Sequence, residues 1–232
     1  MCLGGGTGFI GKYLCRHLQN QGYDVTIISR MPGLKRVSWH DIQRTGIPKN
    51  ITAVVNLAGQ NVLDVTRRWT VGFKQNVWNS RVQTTSTLST AISNAQNKPS
   101  SFVTISGVGC YNPDVHIAYD EDSKITGFDF FSRLCLEWEL AARLPEDVPT
   151  RQVTVRSGVV LGRNGGMIKQ LYLPFYFGIG GPVLPGNQYL PWIHIADLVR
   201  LILFAIENSN VSGIMNGVAP EVVTNKEFSM VS

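Results

Sequence analysis

The stretch Gly4-Gly5-Gly6-Thr7-Gly8-Phe9-Ile10-Gly11 stands between a short apolar segment and a helical pattern. Three of its glycines, Gly5, Gly8 and Gly11, are spaced three residues apart. A tight turn needs a residue that tolerates a positive φ, and a bound pyrophosphate needs the backbone to come close. The third glycine lets the following helix lie close to the strand. The stretch therefore predicts a turn that holds the pyrophosphate of a dinucleotide; the alternative is a glycine-rich turn without a ligand.

Short β-branched runs alternate with longer helical patterns along the rest of the chain. We predict strands at 25–28, 53–57, 102–105 and 153–155, and helices at 9–21, 70–94, 130–143 and 194–205. The strands are near-continuous apolar runs, as expected when both faces of a parallel sheet are covered. The sequence thus predicts an α/β fold of the Rossmann type, with a doubly wound parallel sheet.

The character of the chain changes after Gly162, where glycine and proline become frequent. This pattern indicates loops and short elements outside the sheet. We predict that residues 1–162 form a dinucleotide-binding Rossmann domain. Residues 163–232 are expected to form a small, truncated substrate lobe that is interleaved with the last Rossmann elements. Because few residues precede Gly4 and a helix opens near Thr224, both ends of the chain are expected to be cut short.

Composition excludes several classes of protein. Hydrophobic residues make up 44% and charged residues 16%, which is typical of a globular chain. The net charge of +5 suits an anionic cofactor but is too small and scattered to predict a nucleic-acid partner. No apolar run reaches the roughly 18 residues of a membrane span. The four cysteines are far apart, so we expect reduced thiols, no metal site and an intracellular protein. The cytoplasm is the default compartment, and an organelle is left open.

The end of the second predicted strand carries Ser29 and Arg30. An NAD-binding domain usually has an acidic residue there, which binds the ribose 2′-hydroxyl. No acidic residue occurs between Val25 and Trp39. A guanidinium suits a 2′-phosphate, so the sequence predicts NADP(H), with Lys35 and Arg36 as further charges. The alternative is that Arg30 is a solvated surface residue.

Four further segments narrow the family assignment: Asn56-Leu57-Ala58-Gly59, Ser80-Arg81 with Thr84-Thr85 after it, the stretch 156–162 and the stretch 191–195. With the glycine spacing, they resemble the extended short-chain dehydrogenases/reductases of the NAD-dependent epimerase/dehydratase family. They are most similar to the atypical subgroup called epimerase family protein, class 39U, and the similarity covers essentially all 232 residues. The resemblance implies an NADP(H)-dependent oxidoreductase or epimerase-like enzyme with an unidentified small-molecule substrate. It also implies a homodimer by family analogy.

The resemblance implies specific cofactor contacts. Leu57 and Ala58 would line the adenosine and ribose side, Asn76 and Arg81 would reach the cofactor from the far side, and Val160 would contact the nicotinamide end. On composition alone, Leu57 and Val160 would be core residues and Arg81 a solvated helix charge. The full predicted cofactor-binding set is Gly5, Thr7, Gly8, Phe9, Ile10, Gly11, Ser29, Arg30, Leu57, Ala58, Asn76, Arg81 and Val160.

The catalytic pattern of the family is incomplete in this chain. Family chemistry uses a tyrosine as acid/base, a lysine four residues later and a serine or threonine that polarises the substrate oxygen. Ser106 matches the last position and is the predicted catalytic residue. Asp129 and Arg133 stand at the tyrosine and lysine positions, and an ionised aspartate is a poor proton donor. The alternative function is therefore an NADP(H)-binding sensor or interaction module without turnover.

Two substitutes for the missing tyrosine are worth weighing. Tyr111 follows Ser106 by five residues, although a structural tyrosine is the more common outcome there. His194 and Asp197 have the spacing of a catalytic dyad. The alternative, which we favour, is that His194 packs and that Asp197 complements the first turn of a helix.

Overall fold

The computed structural model describes residues 1–31, 33–62 and 67–231. The strands are β1 (Cys2–Gly4), β2 (Thr26–Ser29), β3 (Arg36–Ser38), β4 (Ala53–Asn56), β5 (Ser101–Gly107), β6 (Arg151–Ser157), β7 (Val159–Leu161), β8 (Tyr189–Leu190), β9 (Trp192–His194), β10 (Gly213–Gly217) and β11 (Val223–Thr224). The helices are α1 (Phe9–Asn20), α2 (Trp39–Thr45), α3 (Val71–Asn94), α4 (Phe130–Ala142), α5 (Gly166–Tyr176), α6 (Ile195–Glu207) and α7 (Asn225–Val231).

The main sheet has seven parallel strands in the order β10-β6-β5-β4-β1-β2-β3. From β1 the chain winds outward to β2 and β3, and from β4 it winds the other way. The predicted Rossmann fold is therefore confirmed. In such sheets a ligand binds beyond the carboxyl ends of the strands where the winding direction changes, which here lies between β1 and β4.

Helices cover both faces of this sheet. On one face, α1 packs against α6, and their apolar side chains join the inner strands in one core that includes Leu14, Leu18, Leu198 and Ile202. On the other face, α2, α3 and α4 pack around residues such as Leu88, Ile92 and Phe102. Burial of these side chains on both sides explains why the strands are apolar throughout.

Several elements of the structure were not predicted from the sequence. The short β3 and α2 are two of them, although Ser38 and Asp41 form a capping box that opens α2. The glycine- and proline-rich stretch after Gly162 was predicted to form loops and short elements outside the sheet, but it contains the 11-residue helix α5. Strand β10, which was not predicted, pairs with β6 as the seventh strand. The helix expected to open near Thr224 is present as α7, and Thr224 and Glu227 form reciprocal hydrogen bonds at its start.

Outside the sheet, β7 pairs with β9 and β8 pairs with β11. None of the residues in α5 is buried. Across the described residues, the model contains no helix that combines the length and the apolar character needed to cross a membrane.

Candidate cofactor-binding site

The register of the sheet brings three loops to one edge. The last residue of β1, Gly4, pairs with Ile28 of β2 on one side and with Asn56 of β4 on the other. The glycine turn, Arg30 and the segment 57–59 therefore leave the sheet next to one another. These three segments are called the cofactor edge below.

The glycine turn depends on the absence of side chains. Gly5 has a φ of +75°, and a Cβ there would lie 2.6 Å from the carbonyl carbon of Leu57. A Cβ on Gly11 would overlap the carbonyl oxygen of Gly5. The amide of Gly8 donates to that same oxygen at 2.9 Å, which closes the turn. Gly5 and Gly11 are therefore required by close backbone approach, as the sequence predicted.

Helix α1 begins without a side-chain cap. Gly8 is its N-cap residue, and the first turn contains no acidic side chain. The amides of Phe9, Ile10 and Gly11 have no partner within the helix, because the first intrahelical bond goes from Lys12 N to Gly8 O. These donors and the positive end of the helix dipole suit an anion. Thr7 is exposed beside them.

A buried polar network fixes the segment that follows β4. Asn56 Nδ2 donates to Thr85 Oγ1 at 2.8 Å, and Trp138 Nε1 donates to the same oxygen at 2.9 Å. Asn56 Oδ1 accepts from the amide of Ala58 at 3.1 Å. The amide of Leu57 donates to Gly4 O at 2.9 Å. The sequence predicted contacts for Leu57 and Ala58 but not the supporting hydrogen bond between Asn56 and Thr85, although both residues lie in segments that resemble the family.

Helix α3 holds the same segment from the other side. Ser80 Oγ accepts from the amide of Gln60 at 2.8 Å. The guanidinium of Arg81 lies over Gly59, where a Cβ would come within 3.1 Å of Cζ, and over the ring of Trp138 at 5.2 Å. Burial lowers the pKa of Arg81 to about 10, so the group stays charged at neutral pH. Arg81 is thus a half-buried cation at the cofactor edge, and the interpretation as a solvated helix charge is wrong.

The end of β2 presents Arg30 to solvent at this edge. Ser29 is buried, and its Oγ accepts from the amide of Met31 at 3.2 Å. Lys35 does not add charge here, because its Nζ pairs with Asp24 at 2.6 Å, and Asp24 precedes the opposite end of β2. Arg36 lies in β3 level with Ile27, at the start of the strand. Arg30 is therefore the basic residue that the β2 end contributes.

The remaining predicted contacts are partly brought together. Ile10, Leu57 and Val160 are partly buried and pack against the same core cluster. Asn76 is exposed on α3, one helical turn before Ser80.

Ser106 lies in β5 opposite Arg156 of β6, and only 4% of it is exposed. Its hydroxyl is buried and makes no hydrogen bond to the described residues. The Cys135 thiol is close to it and donates to Gly107 O at 3.6 Å. A hydroxyl that is enclosed in this way cannot polarise a substrate oxygen in this conformation. The predicted catalytic role of Ser106 therefore lacks support from the geometry.

The residues at the tyrosine and lysine positions serve the start of α4. Asp129 is the N-cap residue, and its carboxylate accepts from Ser132 N and Ser132 Oγ, both at 2.7 Å. Arg133 Nε donates to the carbonyl oxygen of Asp129 at 3.0 Å. These contacts give both residues a structural function.

Tyr111 belongs to a second internal network. Its hydroxyl donates to Asn216 Oδ1 at 2.8 Å and accepts from Arg156 Nη1 at 2.9 Å. Arg156 also pairs with both carboxylate oxygens of Glu139, at 3.0 and 2.9 Å. Burial opposes the charged form of Arg156, but the hydrogen bonds to Glu139 and Tyr111 outweigh it and raise its pKa. Tyr111 is the structural tyrosine that we considered more common.

His194 and Asp197 do not form a dyad. His194 is the N-cap residue of α6, and its Nδ1 accepts from the amide of Ala196 at 3.3 Å. Asp197 pairs with Arg200 at 2.8 Å. Among the described residues, no three His, Cys, Asp or Glu side chains converge as a metal site.

The chain is similar to proteins of a known family. The sequence model of the NAD-dependent epimerase/dehydratase family matches residues 1–216. The chain belongs to this family. It is 51% identical to the epimerase family protein SDR39U1 of Bos taurus over 228 residues. These residues make up 98% of this chain and 77% of that protein. The Homo sapiens protein of the same name is 49% identical, with the same shares covered.

Solved structures of other family proteins are also similar. The crystal structure of human epimerase family protein SDR39U1 (isoform 2) with NADPH has a TM-score of 0.95 and 48% identity, and covers 99% of this chain and 77% of that one. A nucleoside-diphosphate sugar epimerase from Corynebacterium glutamicum has a TM-score of 0.83 and 27% identity, and covers 99% of this chain and 48% of that one. The resemblance to class 39U proteins is therefore confirmed.

Proposed function

We propose that this chain binds NADP(H) at the cofactor edge and acts as an oxidoreductase or epimerase-like enzyme on a small-molecule substrate. The observation that carries the proposal is the uncapped start of α1. It lies beside a turn that admits no side chain, at the point where the winding direction of the sheet changes. The NADPH in the crystal structure of the human relative supports it.

The residues at the edge fit the parts of the cofactor. The amides of Phe9, Ile10 and Gly11 would receive the pyrophosphate, for which they supply unpaired donors and a favourable dipole. Arg30 would bind the 2′-phosphate, because its planar fork of donors matches phosphate oxygens and no acidic residue competes at the strand end.

The other end of the cofactor would lie toward β7. Leu57 and Ala58 would line the adenosine and ribose side, and Val160 would contact the nicotinamide. A bound nicotinamide supplies or accepts a hydride. In this chain the hydride would pass between the nicotinamide and a carbonyl or alcohol carbon of the substrate. The half-buried charge of Arg81 would complement the phosphates from α3.

A second candidate function is NADP(H) binding without turnover. Specific observations favour it: the Ser106 hydroxyl is enclosed, Asp129 caps a helix and Tyr111 is bonded to Arg156. Each side chain that would transfer a proton is therefore absent, enclosed or already hydrogen-bonded within the protein. The cofactor edge fits both candidates equally.

Two measurements test these proposals. The first is a fluorescence titration with NADPH and NADH, in which we expect NADPH to bind at least ten times more tightly; equal affinities would contradict the role of Arg30. The second is NADPH oxidation with a broad panel of carbonyl compounds. Turnover supports the enzyme, and tight NADPH binding without turnover across the panel supports the binding protein.

A further inference from the structure

Trp138 of α4 makes two separate contacts with α3, beside the cofactor edge. Its ring centroid lies 5.2 Å from Cζ of the Arg81 guanidinium. Its Nε1 donates a hydrogen bond to Thr85 Oγ1 at 2.9 Å. The side chain of Trp138 is buried, so the packing around it fixes the position of the ring. One side chain therefore contacts two residues of α3 that serve different parts of the proposed site.

The first contact holds a cation without neutralising its charge. Among the described residues, no ion pair joins Arg81 to a carboxylate. Its Nη1 donates to the carbonyl oxygen of Val77 at 3.2 Å, and the group lies over Gly59. An aromatic face attracts a guanidinium through the ring quadrupole, whereas a carboxylate would also cancel its charge. The Trp138 ring thus orients Arg81 and leaves its positive charge for an anionic ligand.

The second contact continues to the backbone beyond β4. The Thr85 oxygen accepts from Trp138 Nε1 and from Asn56 Nδ2, which uses both lone pairs of the hydroxyl. The amide group of Asn56 is thereby fixed with its Oδ1 toward the amide of Ala58, at 3.1 Å. Asn56 and Thr85 are fully buried, and hydrogen bonds in a low-dielectric interior reinforce one another. Trp138 is thus connected to the segment 57–59 through consecutive hydrogen bonds.

We propose that Trp138 is a positioning residue that sets both arms of the cofactor edge. Its ring holds Arg81 toward the phosphates of NADP(H). Its N–H, through Thr85 and Asn56, holds the segment 57–59 toward the ribose. The inference rests on the proposed function, because it assigns these two arms to the same cofactor. Without Trp138 the arms must be ordered when the cofactor binds, and the cost of that ordering raises the Kd.

Two substitutions of Trp138 separate its contacts. Trp138→Phe keeps an aromatic face and removes the N–H, and is expected to raise the Kd for NADPH about two- to tenfold, as for loss of one hydrogen bond. Trp138→Leu also removes the face under Arg81 and is expected to raise the Kd at least about threefold further. The emission of bound NADPH measures both. Trp78→Phe is the matched control, because that ring packs against Phe130, outside the network.

Substitutions of Thr85 test the hydrogen-bonded arm. Thr85→Val removes the shared acceptor and is expected to raise the Kd for NADPH about tenfold. Thr85→Ser keeps the oxygen and is expected to restore the parental Kd, which a role in packing alone does not predict. Thr87→Val, on the exposed side of the same helix, is the matched control. If Thr85→Val fails to fold, Trp138→Phe tests the same arm, because it keeps a ring in the core.

Double-mutant cycles show whether Trp138 acts through the named residues. In a Thr85→Val background, Trp138→Phe is expected to have little further effect on the Kd, because the acceptor is already absent. In an Arg81→Met background, Trp138→Phe and Trp138→Leu are expected to bind NADPH equally well. Ile92→Val, in the buried core on α3, is expected to lower the melting temperature without changing the Kd.

The outcomes separate this inference from the proposed function. Parental affinity for NADPH in Trp138→Phe, Trp138→Leu and Thr85→Val overturns the positioning role and leaves the proposed function standing. Full additivity in both double-mutant cycles, or a Thr85→Ser variant that binds as weakly as Thr85→Val, also overturns the positioning role. Failure of the parent chain to bind NADPH overturns both.

Discussion

Two regions at the carboxyl end of the sheet differ in whether their polar groups are available to a ligand. At the cofactor edge, the amides that open α1 have no hydrogen-bond partner among the described residues, and Arg30 is exposed. The second region comprises residues 106–111 and 129–133 and is called the proton-transfer region. Its polar groups are enclosed or hydrogen-bonded within the protein. The fold therefore keeps room and donors for a cofactor, while it uses the positions of the family's proton-transfer residues for stability.

The largest expected effect is that of Gly5→Ala at the cofactor edge. The new Cβ would lie 2.6 Å from the backbone of Leu57, so the turn must open and the Kd for NADPH is expected to rise more than about 100-fold. Gly22→Ala is a matched control with a φ of +83° and open space around it. It is expected to cost about 1 kcal/mol of unfolding free energy and to leave the Kd unchanged. NADPH binding by Gly5→Ala at parental affinity would refute the role of the turn.

Glu139→Ala probes the network that connects Glu139 through Arg156 to Tyr111 of the proton-transfer region. It leaves the Arg156 guanidinium, which is 5% exposed, without its carboxylate, and is expected to lower the free energy of unfolding by about 3–5 kcal/mol. Urea denaturation measures this loss. Glu137→Ala, on the exposed side of the same helix, is expected to stay within about 0.5 kcal/mol of the parent. Similar losses in the two variants would mean that the network contributes no special stability.

Arg30→Ala tests which phosphate the cofactor edge recognises. Loss of charge-assisted hydrogen bonds worth about 1.5–3 kcal/mol should raise the Kd for NADPH about 10- to 100-fold and leave NADH binding nearly unchanged. Arg143→Ala at the far end of α4 removes the same charge and is expected to change neither affinity. An equal loss for NADPH and NADH would contradict recognition of the 2′-phosphate.

A pH titration examines how closed the proton-transfer region is. Burial raises the pKa of Cys110 to about 12, against about 9 in the unfolded chain. Both states hold the thiol proton below pH 9, and above it the unfolded state loses the proton first. Unfolding free energy is therefore expected to fall between pH 9 and pH 12. Cys110→Ala should fall less steeply, and an identical slope would show that this thiol is accessible.

The smallest effect is expected for Ser106→Ala. The hydroxyl is buried and makes no hydrogen bond to the part of the chain that the structure describes. Its removal should therefore leave the Kd for NADPH unchanged and alter the free energy of unfolding by less than about 1 kcal/mol. Thermal unfolding and the fluorescence titration measure both. If the parent turns over a substrate and Ser106→Ala does not, the hydroxyl must reach the substrate, and the contrast between the two regions fails.

The parts of the fold that were predictable are those whose signals are local. The glycine spacing at residues 5, 8 and 11 reflects close backbone approach within one turn, and the near-continuous apolar runs of the inner strands reflect burial on two faces. The strand β10 was missed because Gly-Ile-Met-Asn-Gly has weak β-propensity, and its pairing with β6 supplies what the residues lack. Helix α5 was hidden by its flanking glycines and by Pro174.

The site was predictable to a similar extent. The prediction for Arg30 depends only on its place directly after β2. The function of Ser106 depends on the direction of its side chain and on the residues that cover it. Alignment to a family position cannot supply that information. The Asn56–Thr85–Trp138 network joins residues up to 82 positions apart, which only the packing of the fold brings together. No short sequence motif therefore predicts it.

A crystal structure of the chain with NADPH tests the central claim most directly. We predict the pyrophosphate within about 3 Å of the amides of Ile10 and Gly11, and the 2′-phosphate against the guanidinium of Arg30. An empty glycine turn at saturating NADPH, or a dinucleotide bound elsewhere on the molecule, would contradict the claim.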